Sequence, residues 1–89
     1  MTYKLSLPIM NHSNRKLLVV IEPWAEFYTL DPHESLEIIG EGGKIGDNFS
    51  IEYNKRYVSI HAWPGSIANA YRNGMELEPE EQIFPTEDQ

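Results

Sequence analysis

The stretch YVSIHAWPG, residues 57–65, decides the fold class, because apolar and polar side chains alternate along it until a proline–glycine turn ends it. Alternation with a period of two is typical of a half-buried β-strand. The pattern predicts a core face and an opposite face that meets solvent or a partner. The predicted core face carries Val58, Ile60 and Ala62, and the opposite face carries Tyr57, Ser59, His61 and Trp63.

The rest of the chain has the same organisation, with turn residues about every ten positions. Residues 16–21 are apolar on both faces and predict a central strand, whereas Pro8 predicts an edge position for the strand at 3–9. Asn73 and Gly74 predict a type I′ hairpin. No window shows a sustained helical period. The predicted fold is therefore all-β, a small antiparallel two-sheet β-sandwich of seven or eight short strands.

A chain of 89 residues is long enough for one domain with one core. We predict a β-sandwich domain over residues 1–78 and an acidic C-terminal tail over 79–89, which Ile83 and Phe84 attach to the body. The predicted core is made of strand residues that alternate with polar ones. It contains Leu5, Leu7, Leu17, Val19, Ile21, Leu36, Ile38, Phe49, Ile51, Val58, Ile60 and Ile67.

The charge of the chain limits the classes of partner that it can bind. With 14 acidic and 7 basic residues the net charge is −7, which argues against direct binding of nucleic acid or an anionic membrane. The negative charge is compatible with a basic protein partner. It is also compatible with a role in keeping a small domain soluble and nothing more. Cysteine is absent and no leader-like segment begins the sequence. We therefore expect a cytoplasmic protein.

Both tryptophans stand beside a proline at the edge of a strand-like run, at Trp24 and Trp63. Tryptophan combines a large apolar surface with one N–H that needs a partner, and is enriched at contact surfaces. We predict a binding surface formed by Trp24, Tyr57, His61 and Trp63. The alternative interpretation is that the two tryptophans close the ends of a small core.

No residue set has the spacing of a catalytic signature, so we predict no catalytic residues, no metal and no cofactor. One metal set stays open as an alternative, in which His33 and His61 meet a carboxylate such as Glu22 or Glu34 in space. The glycine-rich segment 40–46 lacks the spacing and the final Ser or Thr of a phosphate-binding loop. We interpret it as a strand connection in which glycine supplies positive φ angles.

Three segments, 18–26, 31–38 and 57–66, together resemble a family of short uncharacterised bacterial proteins. The shared pattern is E-P-W-[AG]-E, then a P-G-[ED] turn that leads into a strand, then a W-P-G-[SA] turn and a final hairpin. The resemblance covers about residues 17–77, and His33 stands here where the pattern has glycine. It implies a compact bacterial β-sandwich, cytoplasmic or phage-associated, and supplies no catalytic residues.

These observations favour a non-enzymatic protein-interaction module, whose partner is another protein or a second copy of the chain. One alternative is binding of a small ligand or carbohydrate on an aromatic face formed by Trp24, Tyr57 and Trp63. The other is a metal-dependent enzyme that uses His33, His61 and Glu22.

Overall fold

The structure, a computed structural model, describes residues 2–81, and within this range the chain is all-β, as predicted. Eight strands are present among these residues and form two four-stranded sheets. In chain order they are β1 (Lys4–Met10), β2 (Leu17–Glu22), β3 (Glu26–Leu30), β4 (Ser35–Gly42), β5 (Ser50–Tyr53), β6 (Tyr57–His61), β7 (Ser66–Arg72) and β8 (Met75–Glu76). The same range contains no helix with the length and apolarity needed to span a bilayer.

The first sheet, sheet A, has the strand order β1-β4-β7-β8, and its neighbours pair antiparallel. β1 is an edge strand, which is where Pro8 is tolerated because it has no N–H to donate to a ladder. Asn73 and Gly74, with φ angles of 53° and 80°, join β7 to β8. Positive φ at both central positions is the requirement of a type I′ turn, so the predicted hairpin is confirmed.

The second sheet, sheet B, has the order β3-β2-β6-β5. β2 is a central strand, as the run of apolar residues predicts, but its pairing with β6 is parallel. The prediction of an entirely antiparallel sandwich is therefore wrong for this pair. The physical reason is the path of the chain, which leaves β2 for β3, enters sheet A as β4 and returns as β5. It thus comes back into β6 in the direction of β2.

The core lies between the two sheets, and residues from both sheets form one cluster. Most of the predicted core residues belong to it or pack against it, and Leu5 is half-buried. Two predictions are wrong, since Ile51 is 50% exposed and Ile67 is 66% exposed. Ile51 lies on the edge strand β5, and Ile67 points outward because Ala68 and Ala70 take the inward positions of β7. The cluster contains Val19, Ile21, Tyr28, Leu30, Leu36, Ile38, Val58, Ile60, Ala68 and Ala70.

Tyr28 is the polar member of this core. Burial is the main cause that raises the pKa of its phenol far above the usual value, and the carboxylates of Glu26 and Glu76 raise it further. The raised pKa reflects how strongly this buried position disfavours the charged phenolate.

A buried asparagine links the turns at one end of the sandwich. The side chain of Asn11, which is 3% exposed, donates to the carbonyl oxygens of Arg15 at 2.7 Å and Leu30 at 3.0 Å. Its backbone N–H donates to the Glu34 carbonyl at 2.9 Å, and its own carbonyl accepts from the backbone N–H of His33 at 2.7 Å. His33 adopts a φ of 67°, the left-handed conformation that glycine usually provides. Asn11 thus joins the β1–β2 and β3–β4 connections.

Part of the predicted tail contacts the body of the domain. Glu80 forms an isolated antiparallel bridge with Phe27, and its backbone N–H donates to the Phe27 carbonyl at 2.7 Å. Residues 82–89, with Ile83 and Phe84, lie outside the described residues, so the predicted attachment by these two side chains stays a prediction.

Candidate functional site

The basic residues are concentrated at one end of the sandwich. The β1–β2 connection carries Arg15 and Lys16, and the β5–β6 connection carries Lys55 and Arg56. The two connections meet because β2 and β6 are parallel neighbours, in register from Leu18 with Tyr57 onward. Four of the seven Lys and Arg residues of an acidic chain therefore lie around one point of its surface.

These residues surround an open cleft of about 590 Å³. Leu18 lies in it between Thr29 on one side and Tyr57 on the other, and register places all three on the outer face of sheet B. Tyr53 at the end of β5, with 87% of its surface exposed, also lines the cleft. We call this feature the basic cleft and define it by Arg15, Lys16, Leu18, Thr29, Tyr53, Lys55, Arg56 and Tyr57.

The electrostatics of the basic cleft favour an anionic ligand. The carboxylate of Asp31 lies 3.9 Å from the Lys16 ammonium, and the exposure of both side chains, 75% and 56%, makes this ion pair weak. Arg15 and Lys55 are exposed. Guanidinium and ammonium groups donate charge-assisted hydrogen bonds to carboxylate or phosphate oxygens, and tyrosine adds apolar contact and a hydroxyl. These groups can donate hydrogen bonds to an acidic group placed in the cleft.

One carboxylate already lies at the rim of the basic cleft. The side chain of Glu80 accepts hydrogen bonds from the Thr29 backbone N–H and from the Thr29 hydroxyl, both at 2.8 Å. Two donors on one residue thus hold both oxygens of a carboxylate. This contact joins positions 51 residues apart in the sequence.

The predicted binding surface is divided by the structure. Tyr57 lines the basic cleft, whereas His61 lies on the same face about 13 Å further along β6. The His61 imidazole contacts the Glu52 carboxylate at 3.1 Å. Trp24, in the β2–β3 connection, is 40% exposed and presents part of its ring to solvent. These three residues therefore do not form one compact patch.

The prediction that Trp63 belongs to an exposed face is wrong. β6 ends at His61, and Trp63 follows in a turn where it is 3% exposed. Its indole N–H donates to the Gly42 carbonyl at 2.8 Å, and its ring makes edge-to-face contacts with Phe49 at 4.9 Å and Tyr3 at 5.7 Å between centroids. Trp63 closes the end of the core, as the alternative interpretation proposed.

Glycines of the 40–46 segment create the space for this indole ring. A Cβ on Gly40 would lie 2.6 Å from Trp63 and 2.9 Å from Phe49, and a Cβ on Gly43 would lie 2.6 Å from the Trp63 ring. The φ angles of Gly42, Gly43 and Gly46 are positive, as predicted for this connection. Gly40 and Gly43 are therefore packing positions for Trp63. The prediction of a strand connection is wrong for residues 40–42, because β4 extends to Gly42.

We expect Gly40→Ala to lower the free energy of unfolding by about 1–3 kcal/mol, because the added methyl group must displace two packed rings. Urea denaturation followed by circular dichroism measures the change. Gly74→Ala is not a suitable comparison because of its positive φ, so Ser50→Ala on the exposed edge strand serves as control. Equal stability of Gly40→Ala and the control would contradict this packing.

The metal set that the sequence left open is not assembled. Across residues 2–81, no three His, Asp or Glu side chains are grouped closely enough to hold a metal ion. His33 lies in the β3–β4 connection, next to Asn11. Glu22 and His61 are paired with each other at the C-terminal ends of β2 and β6, which is the other end of the sandwich. The three residues therefore belong to different ends of the sandwich.

Comparison of the chain with protein-family models, curated proteins and solved structures finds no match. The resemblance of residues 17–77 to a bacterial family therefore stays a prediction.

Proposed function

We propose that this protein is a non-enzymatic protein-interaction module that binds an acidic segment of its partner in the basic cleft. The observation that carries the proposal is the convergence of Arg15, Lys16, Lys55 and Arg56 with two tyrosines around one recess, in a chain whose net charge is −7. A local basic site in an acidic protein attracts carboxylates at short range. The net negative charge of the chain at the same time repels other acidic molecules and so disfavours non-specific binding to them.

The partner expected from this chemistry differs from the one that net charge alone suggests. A basic partner suits the acidic surface, whereas the basic cleft suits a peptide segment that carries Asp or Glu. The shape supports a short segment, because the cleft is open and shallow and two tyrosines can pack against apolar atoms between the carboxylates. A second copy of the chain satisfies the same chemistry, since Glu76, Glu78 and Glu81 are exposed.

The test compares two double charge reversals that change the net charge equally. Arg15→Glu with Lys55→Glu alters the basic cleft, whereas Lys4→Glu with Lys44→Glu alters exposed residues near the other end of the strands. Fluorescence anisotropy with a fluorescein-labelled hexaglutamate peptide measures binding at about 0.15 M salt, where distant charges are screened. We expect the first variant to bind at least about tenfold more weakly than wild type.

The control variant is expected to stay within about threefold of wild type, because its reversed charges act only at long range. Equal weakening by both variants would show that total charge, and not the basic cleft, governs binding. Absence of binding both by the wild type and by Glu80→Ala, which lacks the carboxylate at the rim of the basic cleft, would overturn the proposal. Circular dichroism melting curves establish that each variant is folded.

The tyrosines favour carbohydrate as a second candidate ligand. Trp63 is buried in the core and so cannot belong to the predicted aromatic face, but Tyr53 and Tyr57 both line the basic cleft. The volume of the cleft lies within the usual range for small-molecule sites. Stacking on a neutral sugar depends little on charge. A titration with neutral oligosaccharides that gives saturable binding, unchanged in the Arg15→Glu and Lys55→Glu variant, would support this candidate over the acidic peptide.

A further inference from the structure

We infer that Thr29 forms a carboxylate-binding subsite at the rim of the basic cleft and that Glu80 occupies it in cis, in competition with a partner. The inference rests on the proposed function, because it assigns a position within the same cleft to one carboxylate of the acidic ligand. The ligand class is a carboxylate side chain of an extended acidic peptide.

The geometry of the contact is that of a carboxylate receptor. One oxygen of Glu80 accepts from the Thr29 backbone N–H and the other accepts from the Thr29 hydroxyl, each at 2.8 Å. Hydrogen bonds to an ionised acceptor are stronger than those between neutral groups. Among the described residues β3 is an edge strand of sheet B, so the Thr29 N–H faces away from the ladder with β2 and donates to the Glu80 carboxylate instead.

The position of Thr29 connects this receptor to the basic cleft. Thr29 lines the cleft and pairs with Leu18, which in turn pairs with Tyr57, so one row of side chains runs from the Glu80 carboxylate across the floor. A peptide lying along this row would place one carboxylate on Thr29 and further carboxylates near the cations. A partner carboxylate can occupy the Thr29 position only after Glu80 leaves it.

The segment that carries Glu80 has the properties of a displaceable competitor. Its bridge to β3 is isolated and not part of a ladder, and Glu78, Pro79, Glu80 and Glu81 are all exposed. Few buried contacts imply a low free energy of local opening. An exposed, hydrogen-bonded carboxylate therefore holds the subsite weakly enough for a ligand with several carboxylates to replace it.

The experiment measures hexaglutamate binding to wild type, Glu80→Ala and the matched control Glu81→Ala, which removes the same charge one residue away. We expect Glu80→Ala to bind roughly three- to tenfold more tightly than wild type and Glu81→Ala to stay within about twofold. The double variant Thr29→Val with Glu80→Ala is expected to lose this gain, because valine has the shape of threonine without its hydroxyl.

Each outcome separates this inference from the proposed function. Wild type that binds with the same affinity as Glu80→Ala overturns the inference and leaves the proposed function standing. Equal gains for Glu80→Ala and Glu81→Ala also overturn it, since they show relief of general repulsion. Binding by Glu80→Ala but not by wild type supports the inference and shows that the chain's own carboxylate blocks the cleft. Failure of all variants to bind overturns the proposed function together with the inference.

Discussion

Trp63→Ala is expected to lower the free energy of unfolding by about 3–5 kcal/mol. The indole ring is 3% exposed, contacts the rings of Tyr3 and Phe49, and donates to the Gly42 carbonyl at 2.8 Å. Truncation removes these contacts and leaves a void between β4 and the turn that follows β6, while the Gly42 carbonyl loses its donor. Small domains have a total stability of about 5–15 kcal/mol, so the loss is a large part of the whole.

Urea denaturation followed by far-ultraviolet circular dichroism measures this effect without relying on tryptophan fluorescence. The matched control is Trp24→Ala, which removes the same side chain from a position that is 40% exposed. We expect the control to lose less than about 1.5 kcal/mol, because much of the ring already contacts water. Equal losses for the two variants would contradict the assignment of Trp63 to the core.

This result changes how Trp63 can be used in binding experiments. The sequence alone suggests a replacement of Trp63 by a small polar residue that weakens partner binding in a folded protein. The structure places Trp63 in the core, so we expect such a variant to be strongly destabilised, and a loss of binding would then report stability. Substitutions of exposed residues in the basic cleft, such as Arg15 and Lys55, are therefore the informative variants for function.

The sequence predicts the strands well because a period of two and turn chemistry are local signals. The burial of Trp63 depends instead on Gly40 and Gly43, which lie about twenty residues earlier. The Trp63 ring packs where these two residues have no side chain. Alternation assigns Trp63 to the outer face only if the strand continues through it. The strand ends two residues before it, and the Trp63 carbonyl accepts from the Ser66 backbone N–H at 3.0 Å to close a turn.

The basic cleft cannot be predicted from the net charge, because an excess of seven carboxylates over the whole chain outweighs a local cluster of cations. A usable signal exists in the sequence, since two dibasic pairs, 15–16 and 55–56, each stand at or immediately before the start of a predicted strand. If those strands are parallel neighbours, their beginnings lie side by side and the two pairs meet. The parallel pairing of β2 and β6 is a property of the whole topology, which periodicity does not reveal.

Asn11→Ala has the second large effect, an expected loss of about 2–4 kcal/mol in the free energy of unfolding. The Asn11 amide nitrogen donates to the Arg15 and Leu30 carbonyls, and its side-chain oxygen accepts from the Ser13 backbone N–H at 3.0 Å and from the Ser13 hydroxyl at 2.7 Å. Alanine keeps none of these bonds. The asparagine is 3% exposed, so water does not easily replace them.

The same change is expected to weaken hexaglutamate binding in the population that stays folded, because Asn11 fixes the backbone of Arg15 at the edge of the basic cleft. Asn14→Ala, in the same connection and exposed, is the control and should change stability by less than about 0.5 kcal/mol.

Asn11→Asp separates the roles of the two amide atoms. It keeps the acceptor for Ser13 but replaces the donor to two carbonyls with a buried negative charge, so it should be at least as destabilising as alanine. If Asn11→Asp retains wild-type stability, the two bonds donated by the Asn11 amide do not hold this end of the sandwich together.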